Sequence, residues 1–239
     1  GPLASTQIKT LMSYTRSKNL KRVAVVGDNS GLSKIIAGVF EKSLKANGIE
    51  VVASQIIPIG SRTGVPQMQK VRAAKPEAIF QAGIVGPQMA QFFQAYHQLG
   101  MKQPVLASFN LSIPAYLKVA KDLMDGVAFI DAYDPDKERT KAFIAAYQKE
   151  YGSVPFSLPG YGYDGLYFIV DAIKRAGSAD REKIRAAMAS TKGWSGVMGA
   201  KGSSVNLSAT DRRGFDPEGA VVRLIRDNNH GPAVHSGTK

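Results

Sequence analysis

Arg22-Val23-Ala24-Val25-Val26-Gly27, with the turn Asp28-Asn29-Ser30-Gly31 behind it, is the stretch that decides the fold class. An apolar run of this length, closed by turn residues, suits a strand buried on both faces. Leu32, Ile35, Ile36, Val39, Phe40 and Leu44 then recur at helical spacing, and Gly48 is placed to end that helix. Together they read as one βα unit.

The unit repeats. Val51 to Ile57 reads as a strand, Gln67 to Ala74 as a helix and Ala78 to Ala82 as a strand. A helix carrying Met89, Phe92, Phe93 and Tyr96 runs up to Gly100, and Val105-Leu106-Ala107 is the next strand. A short helix with Tyr116 and Leu117 leads to a strand over Gly126 to Ile130. Such alternation predicts an α/β fold, a doubly wound parallel sheet with helices on both faces.

After Tyr133 the rhythm changes. Phe143, Ile144, Tyr147 and Tyr151 mark one helix, Tyr163, Leu166, Tyr167, Val170 and Ile173 a second, and residues 180–190 a third. Three amphipathic helices without a strand between them need an apolar partner surface. The expectation is a mainly helical portion whose underlying sheet is missing from the sequence. Lys192 to Gly219, rich in Gly and Ser, reads as a long surface excursion, Ala220 to Arg226 as a returning strand, and Asn228 onward as a frayed tail. The division that follows is residues 1–5, which resemble the scar of a tag-removing protease, an α/β portion over 6–133 and 215–230, the helical portion over 134–214, and a tail over 231–239.

Composition narrows the chemistry. The 239 residues include no cysteine, which removes disulfides, thiolate metal sites and cysteine nucleophiles. The net charge is +12, but the basic residues are scattered, with one short cluster at Lys18 to Arg22, so no nucleic-acid partner is expected. His97 falls late in an amphipathic helix, and His230 and His235 fall in the expected tail, which leaves no catalytic trio and no cofactor to assign. Gly27 to Gly31 lacks the spacing of a dinucleotide fingerprint, and Lys201-Gly202-Ser203 lacks the upstream glycine of a P-loop. Asp131, Asp134 and Asp136 lack the glycine of a calcium loop and read as a hinge or the start of a helix.

In a doubly wound sheet, small ligands bind beyond the carboxyl ends of the strands. That geometry selects Asn29 and Ser30 after the first strand, Ile84 and Val85 after the third, and Phe109 and Asn110 after the fourth. The polar members offer hydrogen bonds and Phe109 an apolar or stacking wall. Each alone also fits ordinary turn chemistry.

Several segments resemble the Leu/Ile/Val-binding type of extracytoplasmic solute-binding protein. Lys21 to Asn29 is similar to the strand that opens that family's second lobe, and Ala73-Ala74-Lys75-Pro76-Glu77-Ala78-Ile79 to its helix-end and strand step. Gly126-Val127, Tyr133-Asp134-Pro135-Asp136, Phe143 to Tyr147 and Tyr151-Gly152 are similar to its crossing between lobes. Tyr163-Asp164-Gly165, Ala172 to Gly177 and Gly196-Val197-Met198-Gly199 match further family patterns. The resemblance implies a type I periplasmic-binding-protein-like receptor that closes two lobes on a small solute and passes it to an ABC permease from the periplasm. It also implies that 6–133 with 215–230 is one complete ligand-binding lobe and 134–214 the helical part of the other, with Tyr133 or Tyr161 near the hinge, that the first lobe's sheet lies upstream, and therefore that these helices self-associate or pair with a first-lobe segment.

Two departures bear on the solute. Ser30-Gly31 stands where amino-acid binders of the family carry Tyr-Gly, and Phe109 stands where an acidic residue near the ligand ammonium is expected. A buried ammonium without a carboxylate is costly, so an aromatic or other carboxylic acid, or an amide, is expected over an ordinary amino acid. The alternatives are the ligand-sensing effector domain of a transcriptional repressor or receptor, and a non-binding assembly element.

Overall fold

A computed structural model describes residues 4–212 and 219–236. Five parallel strands form most of one sheet: β1 (Arg22–Asp28), β2 (Glu50–Ile57), β3 (Ala78–Ala82), β4 (Val105–Ala107) and β5 (Ala128–Asp131). Two antiparallel strands, β6 (Val221–Arg226) and β7 (Asn229–Ser236), extend it, and the spatial order is β2-β1-β3-β4-β5-β6-β7. The chain winds outward to β2 and then back past β1, so the topological switch lies between β1 and β3.

Each face of the sheet carries its own core. Helices α3 (Val65–Ala73), α4 (Pro87–Gln98) and α5 (Pro114–Ala120) bury Met68, Val71, Met89, Phe92, Phe93 and Leu117 against Ala24, Val26, Ile79 and Phe129. On the opposite face, α1 (Ala4–Ser17) and α2 (Gly31–Ala46) bury Leu11, Tyr14, Ile36, Phe40 and Leu44 against Val23, Val25, Phe80 and Ile130. Every residue of β3 is buried, as expected of a strand covered on both sides. Ser30 caps α2 by accepting a hydrogen bond from the Ser33 N–H, which fixes where that helix starts beyond β1.

The helices after β5 are α6 (Glu138–Tyr151), α7 (Ser157–Ala176) and α8 (Arg181–Ala189). Gly177, at φ 58°, closes α7 in the left-handed conformation that a glycine adopts without strain. Outward from α7 project Leu166 at 62% exposure, Tyr167 at 50% and Ile173 at 39%. Helix α7 therefore presents apolar side chains that no described element covers.

Three expectations need correction. The segment read as a frayed tail from Asn228 folds into β7, where Pro232 and Gly231 sit on an edge strand that tolerates a missing N–H. Ala4 and Ser5, set aside with the residues before them, belong to α1, a helix that the periodicity argument did not identify. Residues after Lys192 are more than surface: Val197, Met198 and Ala200 are buried, and Trp194 bridges to Val205. The boundary placed at 214 and 215 lies outside the described residues.

Candidate functional site

The ends of β1, β3 and β4 are held in register by side chains that spend their polar atoms on backbone. Asp28 ends β1 fully buried, and its two carboxylate oxygens accept the N–H groups of Ser30 and Val85, each at 2.8 Å. Ser33 donates to the Ala82 carbonyl at 2.5 Å and accepts the Asp28 N–H at 2.8 Å. Gly27 leaves room for that hydroxyl, since a Cβ there would stand 2.5 Å from the Ser33 Oγ. At β4, Ser108 accepts the Gly83 N–H and donates to Asn110, whose amide in turn donates to the Ile84 carbonyl. The loops are thus locked before any ligand arrives, which is the preorganisation that a binding surface needs.

This network distributes the expected site residues unevenly. Val85, Phe109, Asn110 and Ser30 lie in the loops that follow β1, β3 and β4, beside the switch between β1 and β3. Ser30 and Asn110 are occupied as a helix cap and a loop lock, so their side chains fix the surface as much as they furnish it. Ile84 turns into the core and offers only its carbonyl, which Asn110 already takes. Asn29 points to the β2 side, where its Oδ1 accepts the Ile59 N–H.

Phe109 begins a short 3₁₀ turn, Phe109–Ser112, and its N–H donates to Gln7 of α1. Its ring meets Tyr161 of α7 edge-on at 6.5 Å, and both pack onto the cluster of Ala132, Tyr133, Phe143, Val197 and Met198. Phe109, Tyr133 and Tyr161 therefore form an aromatic wall where the chain passes from the sheet to the helices. The Tyr133 hydroxyl is buried without a hydrogen-bond partner. Burial pushes the Tyr133 phenol upward, with the Arg223 guanidinium opposing, and burial likewise raises Tyr161.

Behind that wall lies an ionic cluster. Arg223 of β6 bonds Asp131, the last residue of β5, at 2.9 Å, with both side chains almost wholly buried. Its other contacts are the carbonyls of Gly231 and His230, and its guanidinium lies over the rings of Phe129 and Tyr133. Burial raises the Asp131 carboxyl to about 6, outweighing the pull of Arg223. Burial, then Arg223, depress His230 to about 4, while its Nε2 meets the Leu111 carbonyl at 2.9 Å. Asp134 accepts the N–H groups of Asp136 and Lys201, so Asp131, Asp134 and Asp136 do not converge. Among the described residues no group of three or more His, Cys, Asp or Glu side chains is placed to hold a metal ion.

The positions that sequence reasoning missed are Asp28, Ser33, Ser108, Asp131 and Arg223. Asp28-Asn29-Ser30 and Ser30-Gly31-Leu32-Ser33 carry the spacing of a turn and a helix cap, so the first two were legible there. Asp131 and Arg223 are joined across 92 residues, and nothing local announces the pair.

The parallel sheet, its switch point and the crossing into α6 and α7 define a ligand-binding α/β architecture. A sequence model described as "Periplasmic binding protein" matches residues 1–225, and the chain belongs to that family. The Leu/Ile/Val-binding protein BraC3 of Rhizobium johnstonii is 25% identical over 173 residues, covering 70% of this chain and 46% of the relative. The chain thus spans about half the length of that curated relative. Among solved structures, the leucine-binding protein LivK of Thermotoga maritima superposes with a TM-score of 0.77 at 23% identity, covering 98% of this chain and 66% of that one. LivJ of Streptococcus pneumoniae, solved with isoleucine, gives 0.73 at 20% identity over 98% of this chain and 65% of that one. These likenesses support the fold expected from the βα rhythm.

Proposed function

We propose that the chain is the greater part of an extracytoplasmic solute receptor that captures a small molecule against the ends of β1, β3 and β4 and presents it to an ABC permease. The observation that carries this reading is the locked strand-end surface beside the wall of Phe109, Tyr133 and Tyr161. Preformed loops at a switch point, with an aromatic wall beside them, suit a ligand held by shape and a few hydrogen bonds. Phe109 and Tyr161 are its apolar contacts, with the buried ring of Tyr133 packed behind them, and Ser30, Val85 and Asn110 border it. Family membership supports an extracytoplasmic location, and no described helix is long and apolar enough to cross a membrane.

The solute is an aromatic or other carboxylic acid, or an amide, in preference to an ordinary amino acid. An α-ammonium needs a carboxylate to offset its lost hydration. Asp28 already serves two backbone donors and Asp131 is paired with Arg223. Titration calorimetry on the full-length receptor tests this, with benzoate, benzamide, leucine and glutamate as titrants. Benzoate or benzamide is expected to bind at least tenfold more tightly than either amino acid. Submicromolar leucine binding would overturn the preference, and no binding by any small solute would overturn the receptor reading.

A further inference from the structure

A cavity of about 570 Å³ lies where α5, α6, the loop into α7 and the β6–β7 hairpin meet. Leu117 of α5, Ile144 of α6, Phe156 and Pro232 give it apolar sides, and the buried side chains of Tyr133 and Arg223 form its floor. Of the residues assigned to the strand-end surface, Tyr133 alone lines it. Its size and its mostly apolar lining are those of a small-molecule site.

Three polar features decide what it accepts. Tyr133 is 1% exposed, and its hydroxyl has no hydrogen-bond partner among the described residues, a condition that buried hydroxyls in native folds seldom keep. His230 also lines the cavity, and its Nε2 lies 2.9 Å from the Leu111 carbonyl. A carbonyl only accepts, so that nitrogen carries the proton; burial holds the ring neutral, which leaves Nδ1 as an acceptor. Arg223 brings no spare charge, because Asp131 balances it at 2.9 Å, and Asp136 at the exposed rim adds a negative one.

We propose that this cavity is a separate binding site for a small uncharged aromatic amide, whose carbonyl accepts from the Tyr133 hydroxyl and whose N–H donates to Nδ1 of His230. Both groups flank Arg223: its guanidinium lies 5.6 Å from the Tyr133 ring centre and donates to the His230 carbonyl at 2.9 Å, which brings them within reach of one small molecule. An anion finds no uncompensated cation there, and a cation sits against the guanidinium, so either loses hydration without gaining a counter-charge. Every lining residue belongs to this chain and the ligand leaves the strand ends untouched, so the proposal stands apart from the solute assignment.

The test is NMR of the Leu, Ile and Val methyl groups of this chain at pH 7.5, titrated with acetanilide. Saturable shifts are expected at Leu117 and Ile144, with Val85 on the strand-end surface unmoved. Phenylacetate and benzylammonium keep the ring and carry opposite charges, and each is expected to bind at least about tenfold more weakly. Tyr133→Phe keeps the ring that packs against Arg223 and removes only the hydroxyl, and it is expected to weaken acetanilide about fivefold to tenfold. Unmoved Leu117 and Ile144 methyls up to the solubility limit, shifts at Val85 in their place, equal binding of phenylacetate or benzylammonium, or undiminished binding by Tyr133→Phe would each overturn the proposal. If Tyr133→Phe does not fold, the ζ carbon of Tyr133 in the unsubstituted chain decides: a shift at saturating acetanilide sustains the site, and an unmoved resonance ends it.

Discussion

Global unfolding exposes Asp131 and His230 together, and their opposite shifts make a distinctive prediction. His230 is depressed to about 4 from an ordinary 6.5. The stability tied to its neutral form is complete above pH 6.5 and is lost as pH falls toward 4. Asp131 is raised to about 6 from 3.8, so the stability tied to its protonated form is complete below 3.8 and is lost as pH rises through 6. At 1.36 kcal/mol per unit, each shift corresponds to about 3 kcal/mol over its window, with opposite sign. Between about pH 4 and 6 the two slopes cancel, so this cluster adds little pH dependence to the parent protein. Asp131→Asn removes one slope and is expected to lose about 3 kcal/mol more than the parent between pH 7 and pH 4. His230→Gln removes the other and is expected to gain relative to the parent over the same interval. Urea denaturation at pH 4, 5, 6 and 7 with a constant m-value measures both. Profiles that run parallel to the parent for both variants would refute the argument, because they would show that neither group is shifted by folding.

Three other outcomes are expected. Asp164 is nearly buried and accepts the N–H groups of both Val197 and Met198, so Asp164→Ala should cost about 3 kcal/mol in thermal or urea unfolding, and Asp164→Asn less, since it retains one acceptor. Gly196→Ala should destabilise by a similar route, because its Cβ would fall 2.2 Å from the Asp164 carboxylate, and calorimetric melting reads this directly. The chain is expected to self-associate through α7, and Leu166→Glu with Ile173→Glu should shift it toward monomer in light scattering coupled to size exclusion, whereas unchanged mass across concentrations for the parent would contradict that expectation.

The sheet was legible because its strands announce themselves twice, by apolar runs and by the helices between them. Val23 to Val26 and Ala78 to Ala82 are buried on both faces, and a strand of that kind is mostly apolar, Gln81 being the one polar residue in these two runs. The end of the chain was not legible for the converse reason. β7, with His230, Gly231, Pro232 and His235, lies at the sheet edge, where half-exposed side chains carry no apolar period and only pairing with β6 makes them a strand. The α1 helix was hidden similarly: Thr6, Gln7, Thr10 and Thr15 are buried polar residues, the last three with side chains that bond within the fold, so the apolar stripe that marks a helix is diluted.

The candidate site shows the same division at the scale of single residues. Strand-end geometry located the loops at 28–31, 83–87 and 108–110 because that placement follows from topology alone. It did not separate residues that face a ligand from residues that hold the loop, since both roles call for the same short polar side chains. Asn110 and Ser30 could be assigned only when their partners, Ile84 and Ser33, were in place. Asp131 and Arg223 lie further still from sequence inference, because a charge in an apolar strand becomes intelligible only beside its counter-charge. The guanidinium of that pair lies over the Tyr133 ring, so a contact made between two strands far apart in sequence also fixes one member of the aromatic wall, and neither role can be read from the residues alone.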